Sequence, residues 1–183
     1  MAVPAMIGPQ LDEATLVRAA QNGDRVAFGT LYQQHGRLVH AVLLAHVPYQ
    51  DAEDLAQDVF VKGLTQLPSL REPAAFTGWL MAIARRTATD FLRHKKPTSQ
   101  LGPHLAGGRE PNAEAFAILA LIQQLPESYR ETLILRLVEG MTGPEIADRT
   151  GLTPDSVRVN LCRGMKLLRN RLEGHGAATV GKT

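Results

Sequence analysis

Apolar residues recur at every third or fourth position along most of the chain, and no stretch alternates at every second position. A period near 3.6 is typical of amphipathic helices, so the pattern predicts an all-α protein. Asp12 and Asp24 precede two such segments and carry the short acceptor side chain that caps a helix N-terminus. A third helix is expected after Asp51, and a fourth from Phe76 to Phe91. The inward face of the third helix is predicted from five apolar residues: Leu55, Ala56, Val59, Phe60 and Leu64.

Residues 97–112 interrupt this periodicity. The sixteen residues include three prolines and three glycines and have no apolar face. Because a structureless loop of that length is uncommon inside a compact domain, the stretch predicts a flexible linker between two small helical domains. The expected division is an N-terminal tail (1–11), a first domain (12–96), the linker (97–112), a second domain (113–173) and a C-terminal tail (174–183).

The second domain carries the pattern of a helix-turn-helix. The segment from Thr142 to Glu145 suits a capping box, Gly151 suits a tight turn, and Thr153 with the following Pro-Asp suits the start of a second helix. In that second helix Val157, Leu161, Leu168 and Leu172 are predicted to face inward, with Cys162 packed beside them. The outward side chains available for DNA are Ser156, Arg158, Asn160, Arg163 and Lys166. Arginine matches guanine and phosphate oxygens, and asparagine can pair with adenine.

Composition limits the class of protein. The chain has 183 residues, of which 44% are hydrophobic and 21% charged, values that exclude a wholly disordered chain. The single cysteine cannot form an internal disulfide, which fits a reducing compartment and an expected cytoplasmic location. The longest purely apolar run, Ala115–Ile122, is too short to span a bilayer, so we expect no membrane span.

Charge is distributed unevenly although the net charge is only +2. An acidic block occupies residues 51–58, whereas basic residues cluster at 85–96 and again at 158–171. One acidic and two basic patches favour a protein partner together with a nucleic-acid backbone. Charge alone is equally compatible with solvated helix faces.

Five segments together resemble the extracytoplasmic-function (ECF) sigma factors of bacterial RNA polymerase. The similarity extends from about Asp12 to Leu172, with the motifs in the family's order around a linker. The matching segments are GDRVAFGTLY at residues 23–32 (region 2.1), DAEDLAQDVF at 51–60 (region 2.2), FTGWLMAIARRTATDFLR at 76–93 (regions 2.3 and 2.4), LPESYRETLILRLVEGMTGPEIA at 125–147, and GLTPDSVR with the LCR and LR that follow it at 151–169 (region 4).

The resemblance implies a non-catalytic subunit that brings core RNA polymerase to two promoter elements and opens the DNA, and that an anti-sigma protein regulates. The downstream element would contact Arg85, Arg86 and Arg93, and the upstream element the five outward residues of the second helix. Core polymerase would bind an acidic helix face consisting of Asp51, Glu53, Asp54, Gln57, Asp58 and Phe60.

No residue set indicates chemistry by the chain itself. Ser128 and Ser156 have no matching histidine and aspartate, and the six histidines lack metal-ligand spacing. We therefore expect no catalytic residue, metal, cofactor or small-molecule substrate. Two other functions stay open: a stand-alone helix-turn-helix regulator, which would need a dimer interface and a palindromic site, and a helical adaptor that binds only proteins.

Overall fold

The computed structural model describes residues 12–94 and 113–180, and the regular structure in those ranges is helical. The tail expected at 1–11 and the linker expected at 97–112 lie outside the described residues. Two short 3-10 turns, Leu67–Ser69 and Pro73–Ala75, connect α3 to α4. The eight described α-helices are α1 (Glu13–Gln21), α2 (Arg25–Leu44), α3 (Tyr49–Gln66), α4 (Phe76–His94), α5 (Ala113–Gln123), α6 (Glu127–Leu137), α7 (Gly143–Thr150) and α8 (Pro154–Val180).

Both predicted N-caps of the first two helices are confirmed. An Asp12 carboxylate oxygen accepts a hydrogen bond of 2.8 Å from the Thr15 amide. Asp24 accepts from the Val26 and Ala27 amides at 2.8 and 3.1 Å. Each carboxylate therefore satisfies amide donors that have no partner inside the helix.

The start of α3 corrects the predicted boundary. The helix begins at Tyr49 and not after Asp51, with Pro48 as its N-cap at φ −56° and ψ 146°. Proline is tolerated there because the first amides of a helix have no internal acceptor. The acidic residue at 51 therefore lies in the first helical turn, where its charge favours the positive end of the helix dipole.

The first half is a four-helix assembly in which α2 is central and packs against α1, α3 and α4. Its buried core is mainly apolar, with Phe76, Leu31, Leu43 and Leu80 among the largest fully buried side chains, and it also buries the polar side chains of His35 and Thr87. The predicted inward face of α3 is wrong at Leu64, whose side chain is 51% exposed. Leu64 lies about 40° beyond the buried Phe60 around the axis of α3, outside the arc set by Leu55 and Val59.

The second half consists of α5 to α8, with α8 packed against α5, α6 and α7. Val157 and Leu168 are buried as predicted. Leu172 and Cys162 are exposed, so their predicted packing is wrong. Cys162 lies on the side of α8 away from the buried Val157 and Leu168, and Leu172 lies one turn beyond Leu168. The helix itself continues to Val180, past the predicted domain end at 173.

At Gly164 α8 approaches α6 closely. A Cβ atom added there would lie 3.0 Å from Leu133 Cδ1 and 3.1 Å from Tyr129 Cβ. A glycine inside a helix costs about 1 kcal/mol relative to alanine. The close contact between the two helices explains why the chain tolerates that cost.

The two halves also pack on each other. Helix α2 contacts α6, α4 contacts α7, and one cluster of buried apolar side chains extends through both halves. The linker composition predicts separable domains but does not predict this contact. Two cationic surfaces and one acidic surface remain on the outside of the assembly.

Candidate DNA-binding and polymerase-binding surfaces

The helix-turn-helix is built from α7, the turn at Gly151 and the first turns of α8. The Thr142 amide donates to Glu145 Oε2 at 2.7 Å, and the Thr142 hydroxyl accepts from the Glu145 amide at 3.5 Å. Gly151 has φ 74°, a left-handed conformation that glycine adopts without strain. The Ser156 amide donates to Thr153 Oγ1 at 3.2 Å at the start of α8. The predicted capping box, turn and second helix are confirmed.

The predicted upstream residues lie on the side of α8 away from its core contacts. Arg158, Arg163 and Lys166 are exposed, whereas Ser156 and Asn160 are half-buried. At 100° per residue, Arg158 and Asn160 lie about 160° apart around the helix axis. They therefore form opposite flanks of the exposed side, with Arg163 and Lys166 between them.

Two side chains at the centre of this exposed side are missing from the sequence-based set. Val159 and Cys162 both face solvent, and Val159 is 39% exposed. Their spacing from the buried Val157 and Leu168 and the partly buried Leu161 predicts this orientation. An outward valine offers an apolar contact of the kind that suits a thymine methyl group.

Arg158 is paired with an acid on its own helix. Its Nη2 lies 3.2 Å from Asp155 Oδ1, with both side chains strongly exposed. Surface pairs three residues apart stabilise a helix by only a few tenths of a kcal/mol. The guanidinium is therefore free to exchange this partner for another.

On α4 the three predicted downstream arginines separate into two groups. Arg86 and Arg93 are seven residues apart, lie on the same side of the helix and are exposed. Arg93 has a long contact of 3.7 Å with Asp90. Arg85 lies about 100° away and faces α6 in the other half of the protein.

Arg85 forms a two-pronged ion pair with Glu131. Its Nε donates to Oε2 at 2.9 Å and its Nη2 donates to Oε1 at 2.6 Å. The Glu131 carboxylate raises the pKa of Arg85. Burial alone would raise the pKa of Glu131. The nearby His46 imidazole and Arg85 guanidinium lower it by more than burial raises it, so the pKa of Glu131 is below its ordinary value. At 3.9 Å the His46 Nε2 is too distant for a good hydrogen bond, so Arg85 is the main partner.

The acidic face of α3 is solvent-accessible over most of its predicted members. Glu53, Asp54, Gln57 and Asp58 are exposed, and Asp51 is half-buried. Phe60 differs because its ring is only 4% exposed and packs against the rings of Tyr32 and Phe28. Phe60 therefore lies beneath the acidic face, where it lines a surface pocket together with Glu53 and Gln57.

Two apolar residues lie on the same exposed side of α3 and are missing from the sequence-based set. Val61 is 65% exposed and Leu64 is 51% exposed, four and seven residues beyond Gln57. Apolar side chains surrounded by charged ones are typical of protein–protein contact surfaces. We call the surface formed by Asp54, Gln57, Asp58, Val61 and Leu64 the α3 face.

None of the helices within 12–94 and 113–180 is both long and apolar enough to cross a membrane. Within the same ranges no group of three or more metal-binding side chains comes together.

Fold and surfaces define a helical protein with a helix-turn-helix, two cationic surfaces and a mixed acidic and apolar face. The Sigma-70 region 2 profile matches residues 31–98, and the Sigma-70, region 4 profile matches residues 115–168. The chain belongs to the sigma-70 family of RNA polymerase sigma factors and to its ECF group.

Individual relatives cover nearly the whole chain. The RNA polymerase sigma factor NccH of Alcaligenes xylosoxydans xylosoxydans is 31% identical, over 92% of this chain and 98% of the relative. The ECF RNA polymerase sigma-E factor of Haemophilus influenzae is 27% identical over 90% and 97%. Among solved structures, CnrH in complex with the cytosolic domain of CnrY superposes with a TM-score of 0.64 and 25% identity, covering 88% of this chain and 97% of that chain.

Proposed function

We propose that this sigma factor is a non-catalytic specificity subunit that acts in the cytoplasm and directs core RNA polymerase to promoters with two sequence elements. The observation that carries the proposal is the presence of two cationic helix surfaces, on α4 and α8, together with the separate α3 face. Binding and strand separation are the work of this chain. Joining of nucleotides belongs to the polymerase.

The upstream element is assigned to α8. A helix entering the major groove places its first turns nearest the base edges, which favours base contacts for Arg158, Asn160 and the outward Val159. Arg163 and Lys166 lie further along the exposed side and are assigned to phosphates. Ser156 is half-buried at the helix start and is assigned to positioning of the first turn.

The downstream element is assigned to α4 and to the connection that precedes it. Arg86 and Arg93 share one exposed side and provide charge for the backbone of an unpaired strand. Residues 70–75, which include the 3-10 turn Pro73–Ala75, lie at the N-terminal end of α4 and are assigned to an unstacked base. Since unstacking costs a few kcal/mol per base, captured bases must offset it.

Core polymerase is assigned to the α3 face. Charged residues fix which basic partner surface is accepted, and the exposed Val61 and Leu64 supply apolar area at the C-terminal end of the same face. Glu53 and the half-buried Asp51 extend the same acidic helix toward its N-terminus. The combination of acidic and exposed apolar side chains favours a protein-binding surface over a helix face that contacts only solvent.

Regulation by an anti-sigma protein is part of the proposal. Its support is the family membership, together with the superposition on CnrH, which was solved with the cytosolic domain of CnrY bound. An inhibitor of this kind would compete for the same surfaces as polymerase or DNA.

The proposed function is tested by co-purification of the full chain with core RNA polymerase. Asp54→Lys combined with Asp58→Lys should abolish association, because it replaces two attractive charges at the α3 face with repulsive ones. The matched control is Glu127→Lys with Glu173→Lys, which reverses two exposed acids in the other half and should leave association unchanged. Equal recovery of polymerase by both double variants would contradict the assignment and favour a stand-alone regulator or an adaptor.

A further inference from the structure

The two halves are joined by polar contacts as well as by apolar packing. The Arg85–Glu131 pair connects α4 to α6, with the carboxylate of Glu131 only 14% exposed. At the rim, Arg37 Nη2 lies 3.0 Å from Glu139 Oε2. The rings of Tyr49 and Phe116 meet edge to face with centroids 5.0 Å apart.

Gln123 makes a second polar connection, between α5 and the C-terminal end of α2. Its side-chain amide donates to the Leu44 carbonyl at 2.9 Å and to the Val47 carbonyl at 2.7 Å. Carbonyls at the end of a helix have no partner within the helix. The second half of the chain therefore satisfies backbone groups that the first half leaves open.

Arg85 holds Glu131 with a two-pronged donor geometry that would serve a phosphate equally well. A guanidinium donates two parallel hydrogen bonds to a carboxylate or to a phosphate in the same way. Both donor nitrogens used here, Nε and Nη2, are taken by Glu131. An Arg85 paired in this way cannot offer the same two hydrogen bonds to a DNA phosphate.

We propose that Glu131 is an internal competitor of DNA for Arg85, and that Glu131 and Gln123 together hold the free chain in a closed, self-inhibited form. The proposal rests on the proposed function of Arg85 as a contact to the downstream strand. Opening exposes Arg85 to DNA and frees α6 from α4. Polymerase that binds the α3 face more tightly in the open form would shift the chain to that form and so make Arg85 available to DNA.

The expected size of the effect follows from the charges involved. Hydrogen bonds between ionised groups are among the stronger ones in proteins. The side chain of Glu131 is only 14% exposed, so the carboxylate end of this pair is largely shielded from water. A ligand that binds only the open form gains apparent affinity in proportion to the open fraction. Removing the charge at Glu131 should therefore tighten binding of single-stranded DNA by about tenfold.

Closure is measured in the full chain by energy transfer between dyes on Cys162 and on a cysteine introduced by Val26→Cys. Cys162 is the single native cysteine and is exposed on α8, and Val26 is 80% exposed at the start of α2. Glu131→Gln and, separately, Gln123→Ala should lower transfer efficiency. The matched control Glu127→Gln removes an exposed charge from the same helix and should not change it. Unchanged transfer in both test variants, with unchanged thermal unfolding, would overturn the proposal.

Competition is measured on the unlabelled full chain with a fluorescent single-stranded 12-mer of mixed sequence at low salt. Glu131→Gln should bind about tenfold tighter than the parent, and the gain should vanish in Arg85→Ala combined with Glu131→Gln. Equal affinity of the parent and Glu131→Gln, or a gain that survives loss of Arg85, would overturn the proposal. Promoter-directed transcription by the polymerase complex tests the proposed function separately, because energy transfer in the free chain does not depend on it.

Discussion

The basic surfaces of α4 and α8 contain the same residue types in different surroundings. On α8, Arg158 and Arg163 are exposed, and Arg158 has only a solvent-exposed acid beside it. On α4, Arg85 is held by the largely buried carboxylate of Glu131, while the next residue, Arg86, is exposed. The comparison indicates that one DNA-binding surface is ready in this conformation and that the other is partly covered by the chain itself.

The availability of α8 is tested most strongly at Arg158. Arg158→Ala should cost about 1 to 3 kcal/mol on the preferred upstream element and much less on scrambled DNA, because a base contact is lost. Arg163→Ala is the matched comparison, and should weaken binding evenly on both DNAs and reduce the salt slope by about one unit. The measurement is affinity of the polymerase complex at several salt concentrations. Equal losses for Arg158→Ala on the two DNAs would show that Arg158 does not read sequence.

One glycine in α8 and one in α4 test how closely each helix is packed at that position. Gly164→Ala in α8 should destabilise the fold by about 1 to 2 kcal/mol, since crowding against Tyr129 and Leu133 outweighs the gain in helix propensity. Gly78→Ala in α4 has nothing within 4 Å of the added Cβ and should stabilise by about 0.5 to 1 kcal/mol. Denaturant unfolding measures both. A Gly164→Ala protein as stable as the parent would mean that α6 and α8 are not in close contact.

The partial covering of α4 predicts different responses of neighbouring arginines. In the free chain Arg86→Ala should weaken binding to single-stranded DNA by a few-fold, through loss of about one phosphate contact, and Arg85→Ala should have little effect. In the polymerase complex, where the halves are expected to be apart, both substitutions should weaken binding to a similar extent. Titrations of the free chain and of the complex with the same strand distinguish the two states. A full effect of Arg85→Ala in the free chain would remove the contrast with α8.

The smallest expected effect is a pH dependence of closure. Burial raises the pKa of Glu131, but His46 and Arg85 lower it below 4.5, the value for an unperturbed glutamate. A carboxyl with a lowered pKa stabilises the closed form above the ordinary pKa, and the contribution is lost as the pH falls through the lowered value. Energy transfer should therefore fall at acidic pH in the parent but not in Glu131→Gln. A parallel fall in both proteins, at constant helical content, would assign the change to other groups.

Much of the local structure is predictable from the sequence because it depends on neighbouring residues. Asp12 and Asp24 cap their helices, and Gly151 makes the turn between α7 and α8, through interactions that span only a few residues. The period predicts that Leu64 faces inward, but the packing partners of α3 cover a narrower arc and leave its side chain 51% exposed. Whether a residue at the edge of a helix's apolar face is buried depends on the neighbouring helices, which periodicity does not specify.

The sequence predicts which residue types form the candidate sites, but not which partners those residues have in the folded chain. The sequence indicates that Arg85, Arg86 and Arg93 form a basic cluster, and helical spacing already separates the first from the other two. The partner of Arg85 is 46 residues further along the chain and belongs to the other half, so only tertiary packing reveals it. Gly164 is similar, because its reason lies in Tyr129 and Leu133 on another helix.

Mapping of transcript starts tests the central claim most directly. Core RNA polymerase is combined with the full chain and, in parallel, with the variant Asp54→Lys plus Asp58→Lys, and 5′ ends are mapped on genomic DNA. We expect discrete starts that require the unsubstituted chain, are lost with the variant, and share two upstream sequence elements at a constant spacing. Starts that are the same with and without the chain, or that share a single palindromic site, would contradict it.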